Sequence, residues 1–321
     1  MKKFMKICAI TALIMCVLGI VLASLAGSIK GREAINEVVE NVTDGKVNVK
    51  LNGWNDWGVT VADELKNNIG NANYIIEDAI SFNNKYDILK GNVEKYSLGS
   101  GIDSLDIEVG GCTFETVASG DDCFYIEVEK AGKFQAYVED KVLYVLETPS
   151  SRRLNDIGEC VITFYIPEEK EFQKVDIELG AGSMKLKNLY ADEANLSAGA
   201  GKITVSSIYA KRLNASVGMG QMELKEFDAE KLDAEVGMGE LIADGNIRKE
   251  AMIECAMGNI EMEIEGSQKD FNYEVEGAMG NISIGKDSYG GFASERIIDN
   301  DADKVIDITG SMGNISLEFA E

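Results

Sequence analysis

The side chains that could do chemistry in this sequence are carboxylates, cysteines and methionines, because its 321 residues include no histidine. Without histidine, Ser-His-Asp and Cys-His nucleophile systems and histidine metal sites are excluded. A glycan-cleaving enzyme that uses paired carboxylates would need two acids converging in a groove. The outward acids of this chain are instead scattered along it. We therefore expect no enzyme, no catalytic, cofactor-binding or metal-binding residue, and no cofactor.

Four cysteines lie beyond the first thirty residues, at Cys112, Cys123, Cys160 and Cys255. Four cysteines allow three complete pairings, and the sequence does not choose among them. Cys112 and Cys123 flank a short turn and could form a disulfide. Cys255 is expected to be a buried thiol, because it occupies a repeat position that elsewhere holds Leu or Val. The chain has no CxxC pair, which disfavours a zinc site.

The acidic run Asp299, Asp301 and Asp303 has the alternate carboxylates of the first half of a calcium-binding EF-hand loop. Lys304 stands where that loop needs glycine, and Gly310 stands where it needs glutamate. We therefore favour a solvated acidic loop, and a weak calcium site is the open alternative.

Much of the carboxyl-terminal part of the chain is an internal repeat with a period of nineteen residues that starts at Val175. A marker glycine recurs in each copy, and two later copies and a degenerate early copy from Leu105 keep the same core with looser spacing. The marker glycines are Gly182, Gly201, Gly220, Gly239, Gly258, Gly280 and Gly313. Eight approximate copies indicate a repeat architecture rather than two independent lobes.

Apolar residues alternate within each copy and change parity once, across the marker glycine, which predicts β-strands with one buried face. In the third copy the predicted inward residues are Leu213, Ala215, Val217, Met219, Met222 and Leu224. One copy cannot bury its own apolar face, but copies stacked about 4.8 Å apart can. We predict an all-β fold, a single-stack β-solenoid of about seven to eight glycine-marked coils.

The side chain just before the marker glycine becomes larger from the first copies to the last, from alanine to methionine. These positions are Ala181, Ala200, Met219, Met238, Met257, Met279 and Met312. We expect them to fill the core, and copper(I) ligation by the thioethers is the alternative.

The asparagines after the last three marker glycines, Asn259, Asn281 and Asn314, are predicted to form a ladder at a turn. Asn-x-Ser sequons at Asn195, Asn214, Asn281 and Asn314 arise from the repeat itself, and no glycosylation is inferred.

Residues 123–166 predict an antiparallel block of four strands, with a tight hairpin at Val138-Glu139-Asp140-Lys141. This block is expected to cap the amino-terminal end of the solenoid.

Residues 7–27 contain no charge and are long enough to span a bilayer as one helix. A cleaved signal peptide is the alternative, but its apolar region would be shorter. Lysines before the span place the amino end in the cytoplasm. The predicted domains are residues 1–30, a cytoplasmic tip and transmembrane anchor; residues 31–100, a stalk with short helices near 32–40 and 61–70; and residues 101–321, the solenoid.

Several motifs together resemble a bacterial β-strand-repeat domain of unknown function that is commonly labelled "putative adhesin". They are the LDIEVGG copy from Leu105, the hairpin block, the lead-in from Tyr165 to Glu168, and the serial VDIELGAG and VGMG strands. The resemblance covers about residues 101–321. It implies an envelope-associated, non-enzymatic role and brings no catalytic residue to carry over.

The charge distribution limits the kinds of partner that the chain is expected to bind. Net charge is −24, and because residues 1–32 hold five basic residues and no acid, the remainder carries −29. Such a body repels nucleic acid and anionic lipid headgroups. We expect a single-pass membrane protein with an extracytoplasmic binding or structural module for a cell-wall, surface protein or glycan ligand. The alternative is an accessory role in envelope-stress sensing or signalling. The sequence leaves the oligomeric state open.

Overall fold

The computed structural model describes residues 80–149, 159–277, 279–289 and 294–320. The predicted anchor at 7–27 and the two short stalk helices lie outside these residues. Within the described ranges, no helix is long and apolar enough to cross a bilayer. The described chain is all-β, with one short 3₁₀ turn at Gln268–Asp270.

Sixteen strands of the described chain join in one hydrogen-bonded sheet. They are β1 Leu89–Gly99, β2 Ser104–Ala118, β3 Phe124–Glu139, β4 Val142–Thr148, β5 Val161–Ile166, β6 Glu171–Ala198, β7 Lys202–Val217, β8 Gln221–Val236, β9 Glu240–Cys255, β10 Asn259–Glu265, β11 Phe271–Gly277, β12 Asn281–Ile284, β13 Asp287–Ser288, β14 Ser294–Ile298, β15 Lys304–Gly310 and β16 Asn314–Ala320. Strand β1 lies within the segment 31–100 that was assigned to the stalk.

The nineteen-residue repeat sets the stacking, as predicted. Strands β6, β7, β8 and β9 pair in parallel, and Leu213 aligns with Ala194 on one side and Leu232 on the other. Equivalent positions therefore form columns that run through the stack. The inward columns hold mostly apolar side chains, so the core is continuous from coil to coil.

The inward pattern has one more segment than predicted. In the third copy Leu213, Ala215, Val217, Met222 and Leu224 are buried, as expected. Each of the four regular coils then has a further buried side chain where the alternation predicted only a bend, and two of the coils have a second one two residues later. These side chains are Leu189, Ile208, Phe227 and Ile247 in one column and Ala210 and Ala229 in the next. Each coil therefore has three short buried segments instead of two.

The amino-terminal end of the stack is partly antiparallel. Strand β3 runs antiparallel to β1, β4 and β5, and the β3–β4 hairpin turns at Asp140 and Lys141, both with positive φ. This geometry is that of a type I′ turn and confirms the predicted hairpin. Within residues 123–166 the pairing is antiparallel, as predicted, although one strand, β3, takes the place of the first two predicted strands; β4 and β5 also pair in parallel with β2, outside this block, and form a regular coil with it. Their side chains repeat the columns of β2, which parallel pairing requires.

The copies at the carboxyl end are not stacked in chain order. Strand β16, from the last copy, lies between β10 and β12, so Asn314 pairs with Asn259 on one side and Asn281 on the other. In the same way β15 lies between β9 and β11. The last copy is thus inserted into a gap between two earlier ones. Antiparallel strands β13 and β14 then border β12 and β11.

Candidate functional site

The corner of each coil at the marker glycine has room for backbone only. A Cβ atom at Gly220 would lie 2.1 Å from the carbonyl oxygen of Gly201, and one at Gly239 would lie 2.2 Å from that of Gly220. Neighbouring rungs approach so closely here that only glycine fits. The residue just before each marker glycine is consequently the side chain that can project from the corner.

The methionines at this corner project outward, which corrects the prediction that they fill the core. Met219 and Met312 are each 49% exposed and Met279 is 58% exposed, whereas Met238 and Met257 are half-buried. The reason is that the alternation of buried residues is interrupted over several corner residues, and not at the marker glycine alone. Inward alternation ends at Val217 and resumes at Met222, so the intervening residues face solvent.

The five methionines occupy five successive rungs. Their backbone N–H groups donate to carbonyl oxygens of the preceding rung: Met219 to Gly199 at 2.7 Å, Met238 to Gly218 at 2.7 Å, Met257 to Gly237 at 2.8 Å, Met312 to Ala256 at 2.7 Å and Met279 to Ser311 at 2.7 Å. The order through the stack is therefore 219, 238, 257, 312, 279. We call this column the methionine ladder.

An open groove of about 500 Å³ runs along the first part of the ladder. Its lining consists of Gly182, Ala200, Gly201, Lys202, Met219, Gly220, Gln221, Met238, Gly239 and Glu240. Glu240 is the one carboxyl group of this lining, and it accepts a hydrogen bond from the Gln221 amide. Lys202 forms an ion pair with Glu223 at 3.5 Å. The groove thus offers backbone, thioether and amide contacts, without the second carboxyl group that acid–base hydrolysis of a glycan requires.

Carboxyl groups do meet elsewhere, in columns on a different side of the coils. Asp106 aligns with Asp176 and Glu108 with Glu178 on adjacent parallel strands. Burial, together with the charges of Asp106 and Glu178, raises the pKa of Glu108 to about 7. Burial and the charges of Asp176 and Glu178 likewise raise the pKa of Asp106. Asp106 and Glu108 therefore favour their protonated forms, and ionising these two carboxyl groups costs stability.

Glu147 is a fully buried carboxyl group that sequence interpretation missed. Its Oε2 accepts a hydrogen bond from the backbone N–H of Gly111 at 3.1 Å, while Oε1 has no hydrogen-bond partner in the described ranges. Burial raises the pKa of Glu147 to about 7, although the N–H groups of Gly111 and Gly110 oppose the shift. The signal was present in the sequence, because Glu147 shares the inward parity of Leu143 and Val145.

The cysteines are placed differently from the disulfide considered above. All four described cysteines are free, and Cys112 lies buried next to Cys160 rather than bonded to Cys123. The side-chain hydrogen bond with Cys160, together with burial, raises the pKa of the Cys112 thiol. Cys255 is buried in the column of Val236, which confirms the predicted core thiol.

The acidic loop is held by hydrogen bonds to the side chain of Asn272. Asn272 Oδ1 accepts from the backbone N–H of Asn300 at 2.8 Å, and its Nδ2 donates to the carbonyl oxygen of Ala302 at 2.7 Å. Asp299 accepts from the N–H of Asp301 at 2.9 Å. Among the described residues, no group of three or more Asp, Glu or Cys side chains is arranged to hold a metal ion.

Asparagine side chains align in two outward columns of the stack. Asn214 donates to Asn195, and Asn195 donates to Asp176, so two sequon asparagines form an amide ladder. Asn259, Asn314 and Asn281 do align on successive rungs, as predicted. However, the Asn259 amide donates to Glu261 at 2.8 Å, within its own strand.

A family model matches this fold over residues 124–318, more than half of the chain, and its description is Toastrack DUF4097. The chain belongs to the Toastrack DUF4097 family. This membership confirms the β-strand-repeat family that the sequence motifs suggested. No curated protein matches the sequence.

Several solved structures are similar to this Toastrack protein. A "putative adhesin" from Bacteroides fragilis is 13% identical, with 72% of this chain and 97% of that chain covered and a TM-score of 0.39. A "putative lipid binding protein" from Parabacteroides distasonis is 16% identical, with coverages of 73% and 99% and a TM-score of 0.40. A "putative cell adhesion protein" from Clostridium sporogenes is 12% identical, with coverages of 73% and 100% and a TM-score of 0.28.

Proposed function

We propose that this protein is a non-enzymatic binding module of the cell envelope, a solenoid of seven to eight coils held at the membrane by residues 7–27. The observation that carries the binding role is the exposed corner of the coils just before the marker glycine. There the stack displays the same apolar side chain on five successive rungs, and the fold does not use these side chains for its core. Such an array suits an extended ligand that is contacted at several rungs at once.

The composition of the groove supports binding rather than catalysis. Its single carboxyl group, Glu240, is already engaged by Gln221. The acidic columns on the other side pair like with like, as at Glu108 and Glu178, on adjacent strands. Neither arrangement places two carboxyl groups on opposite sides of a groove, as hydrolysis of a glycan requires.

The charge of the module indicates which ligands it tolerates. The chain beyond residue 32 carries a net charge of −29. Anionic polymers and anionic lipid surfaces are therefore repelled, and neutral or cationic wall and surface components are favoured. By the positive-inside rule, the lysines that precede the apolar segment support a cytoplasmic amino end and therefore an extracytoplasmic module.

The location is tested by treating intact cells with a non-permeant protease and following residues 80–321 by immunoblot, with a cytoplasmic protein as the control. Loss of the module from intact cells is the expected result. Protection that persists after the wall is removed, and disappears only on lysis, would place the module in the cytoplasm and refute the proposal.

The binding role is tested by sedimenting the purified full chain with isolated cell-wall fragments. We expect the chain to sediment with the fragments and the M219K/M238K variant to stay in the supernatant. M252K is the matched control, because Met252 is 47% exposed in another column of the stack. Wild-type chain that stays in the supernatant, or equal loss in M252K, would refute a role for this corner.

A further inference from the structure

We propose that the methionine ladder is a binding site for soft monovalent cations, copper(I) and its analogue silver(I). The ladder has five thioethers at Met219, Met238, Met257, Met312 and Met279, on successive rungs. Thioether sulfur is a soft ligand that selects copper(I) over the hard divalent ions. The proposal does not rest on the envelope function, because a cation would bind the purified chain.

The spacing of the ladder suits shared coordination. Adjacent parallel rungs lie about 4.8 Å apart. Metal–sulfur bonds are roughly 2.3 Å long, so two sulfurs on one ion lie at most about 4.6 Å apart. Neighbouring thioethers can therefore hold one ion without any movement of the backbone. Methionine has three rotatable side-chain bonds, which allow the sulfurs to adjust their direction.

The surroundings leave the sulfurs accessible. Gly218 and Gly220 flank Met219, and Gly237 and Gly239 flank Met238, so no side chain branches next to these sulfurs along the chain. A Cβ at any of these four glycines would meet backbone of the preceding rung at 3.0 Å or less, so the flanks stay bare.

The acidic surroundings add a favourable potential for a cation. Glu240 lines the groove beside Met238, and Glu261 follows Met257 by four residues on the next coil. Gln221 and Asn259 bind these two carboxylates through their amides and so leave the negative charge in place. The net charge of the module has the same sign.

The test follows methionine methyl groups directly by NMR. The full chain, purified in detergent and labelled with ¹³C-methyl methionine, is titrated with silver(I) in chloride-free buffer and with copper(I) under anaerobic, reducing conditions. Twelve methionines give twelve methyl signals, which single Met→Leu variants assign. We expect the five ladder signals to shift, while the buried Met222 and the exposed Met252 stay unchanged.

Affinity is measured by competition with a copper(I) chelator. M238L/M257L removes two central sulfurs and keeps the volume and apolarity of the ladder. We expect it to bind copper(I) at least about tenfold more weakly, while M252L matches the wild type. Thioethers carry no proton, so binding should be equal at about pH 5 and about pH 7, unlike binding to cysteine thiolates.

Three results would overturn the proposal. The first is a silver(I) titration that leaves the ladder methyl signals in place. The second is an equal loss of affinity in M252L and M238L/M257L. The third is copper(I) binding that disappears at about pH 5, which would assign it to cysteine. Far-UV circular dichroism of each variant confirms that the stack is folded in every comparison.

Discussion

Replacing Gly220 by alanine tests the claim that the corner admits backbone only. The added Cβ would lie 2.1 Å from the Gly201 carbonyl oxygen, and real Cβ contacts stay above 3.0 Å, so neighbouring strands must separate by at least 0.9 Å. That movement strains two ladder bonds, from Gly220 N–H to Gly199 O at 3.0 Å and from Gln221 N–H to Gly201 O at 2.9 Å.

The expected loss can be worked from these contacts. Two backbone hydrogen bonds contribute about 1 kcal/mol each, and overpacking against fixed backbone costs about 1–3 kcal/mol. Alanine lowers the entropy of the unfolded chain and returns about 0.4–1 kcal/mol. G220A should therefore lose about 2–5 kcal/mol, which for a domain of this size lowers Tm by roughly 4–20 °C.

Thermal unfolding of the full chain by far-UV circular dichroism measures this loss. M219A, one residue away, removes a half-exposed side chain without adding an atom near the backbone, and should change stability by no more than about 0.5 kcal/mol. If G220A and M219A had the same Tm, the rungs would be able to separate freely at this corner. The steric account of the glycine column would then be wrong.

Three further predictions concern buried groups. Since burial raises the pKa of Glu147 to about 7, the folded chain keeps a proton that the unfolded chain releases near pH 4.5, and stability should fall as pH rises between these values. E147Q should remove roughly 3 kcal/mol of that fall, and urea midpoints at about pH 5 and about pH 7 measure it; an unchanged pH dependence would contradict the assignment. Native alkylation followed by mass spectrometry should label the partly exposed Cys123 before the buried Cys112, and the reverse order would be inconsistent with this packing. F227A should cost about 3–5 kcal/mol in urea unfolding, against less than about 1 kcal/mol for the exposed Tyr209→Ala; equal costs would argue against the third buried segment.

The period and the parallel stacking were predictable because they depend on spacing alone. Leu213 and Leu232 are nineteen residues apart and pair directly. The orientation of Met219 was not predicted correctly, because alternation was extended through a corner where backbone contacts, rather than burial, decide direction. The glycines on both sides of Met219 were the available signal.

The third buried segment was missed for a related reason. Two consecutive exposed residues, Lys225 and Glu226, precede Phe227 and interrupt the alternation. A strictly period-two interpretation therefore assigns the residues after Glu226 to a bend. Phe227 repeats the column of Ile208, so comparing columns between copies reveals the segment that alternation within one copy conceals.

The order of the last copies could not be obtained from a single chain. Asn259, Asn314 and Asn281 are identical residues at equivalent positions, so either order satisfies the ladder equally well. The long connection between β12 and β15 permits the last copy to reach a rung that is not its neighbour in sequence. The full length of the methionine ladder could not be predicted for the same reason. The ladder reaches five successive rungs only because the last copy is inserted between two earlier ones.

That insertion has a consequence for biosynthesis. A ribosome releases β11 and β12 before β15 and β16, yet the later pair separates the earlier pair from the coil of β9 and β10. Coils up to β10 can assemble one after another as they emerge, but β11 and β12 have only their antiparallel neighbours β14 and β13 until their parallel partners β15 and β16 follow. The module therefore completes its fold after translation of its last strand, and β12 held out of the stack leaves an open edge until then.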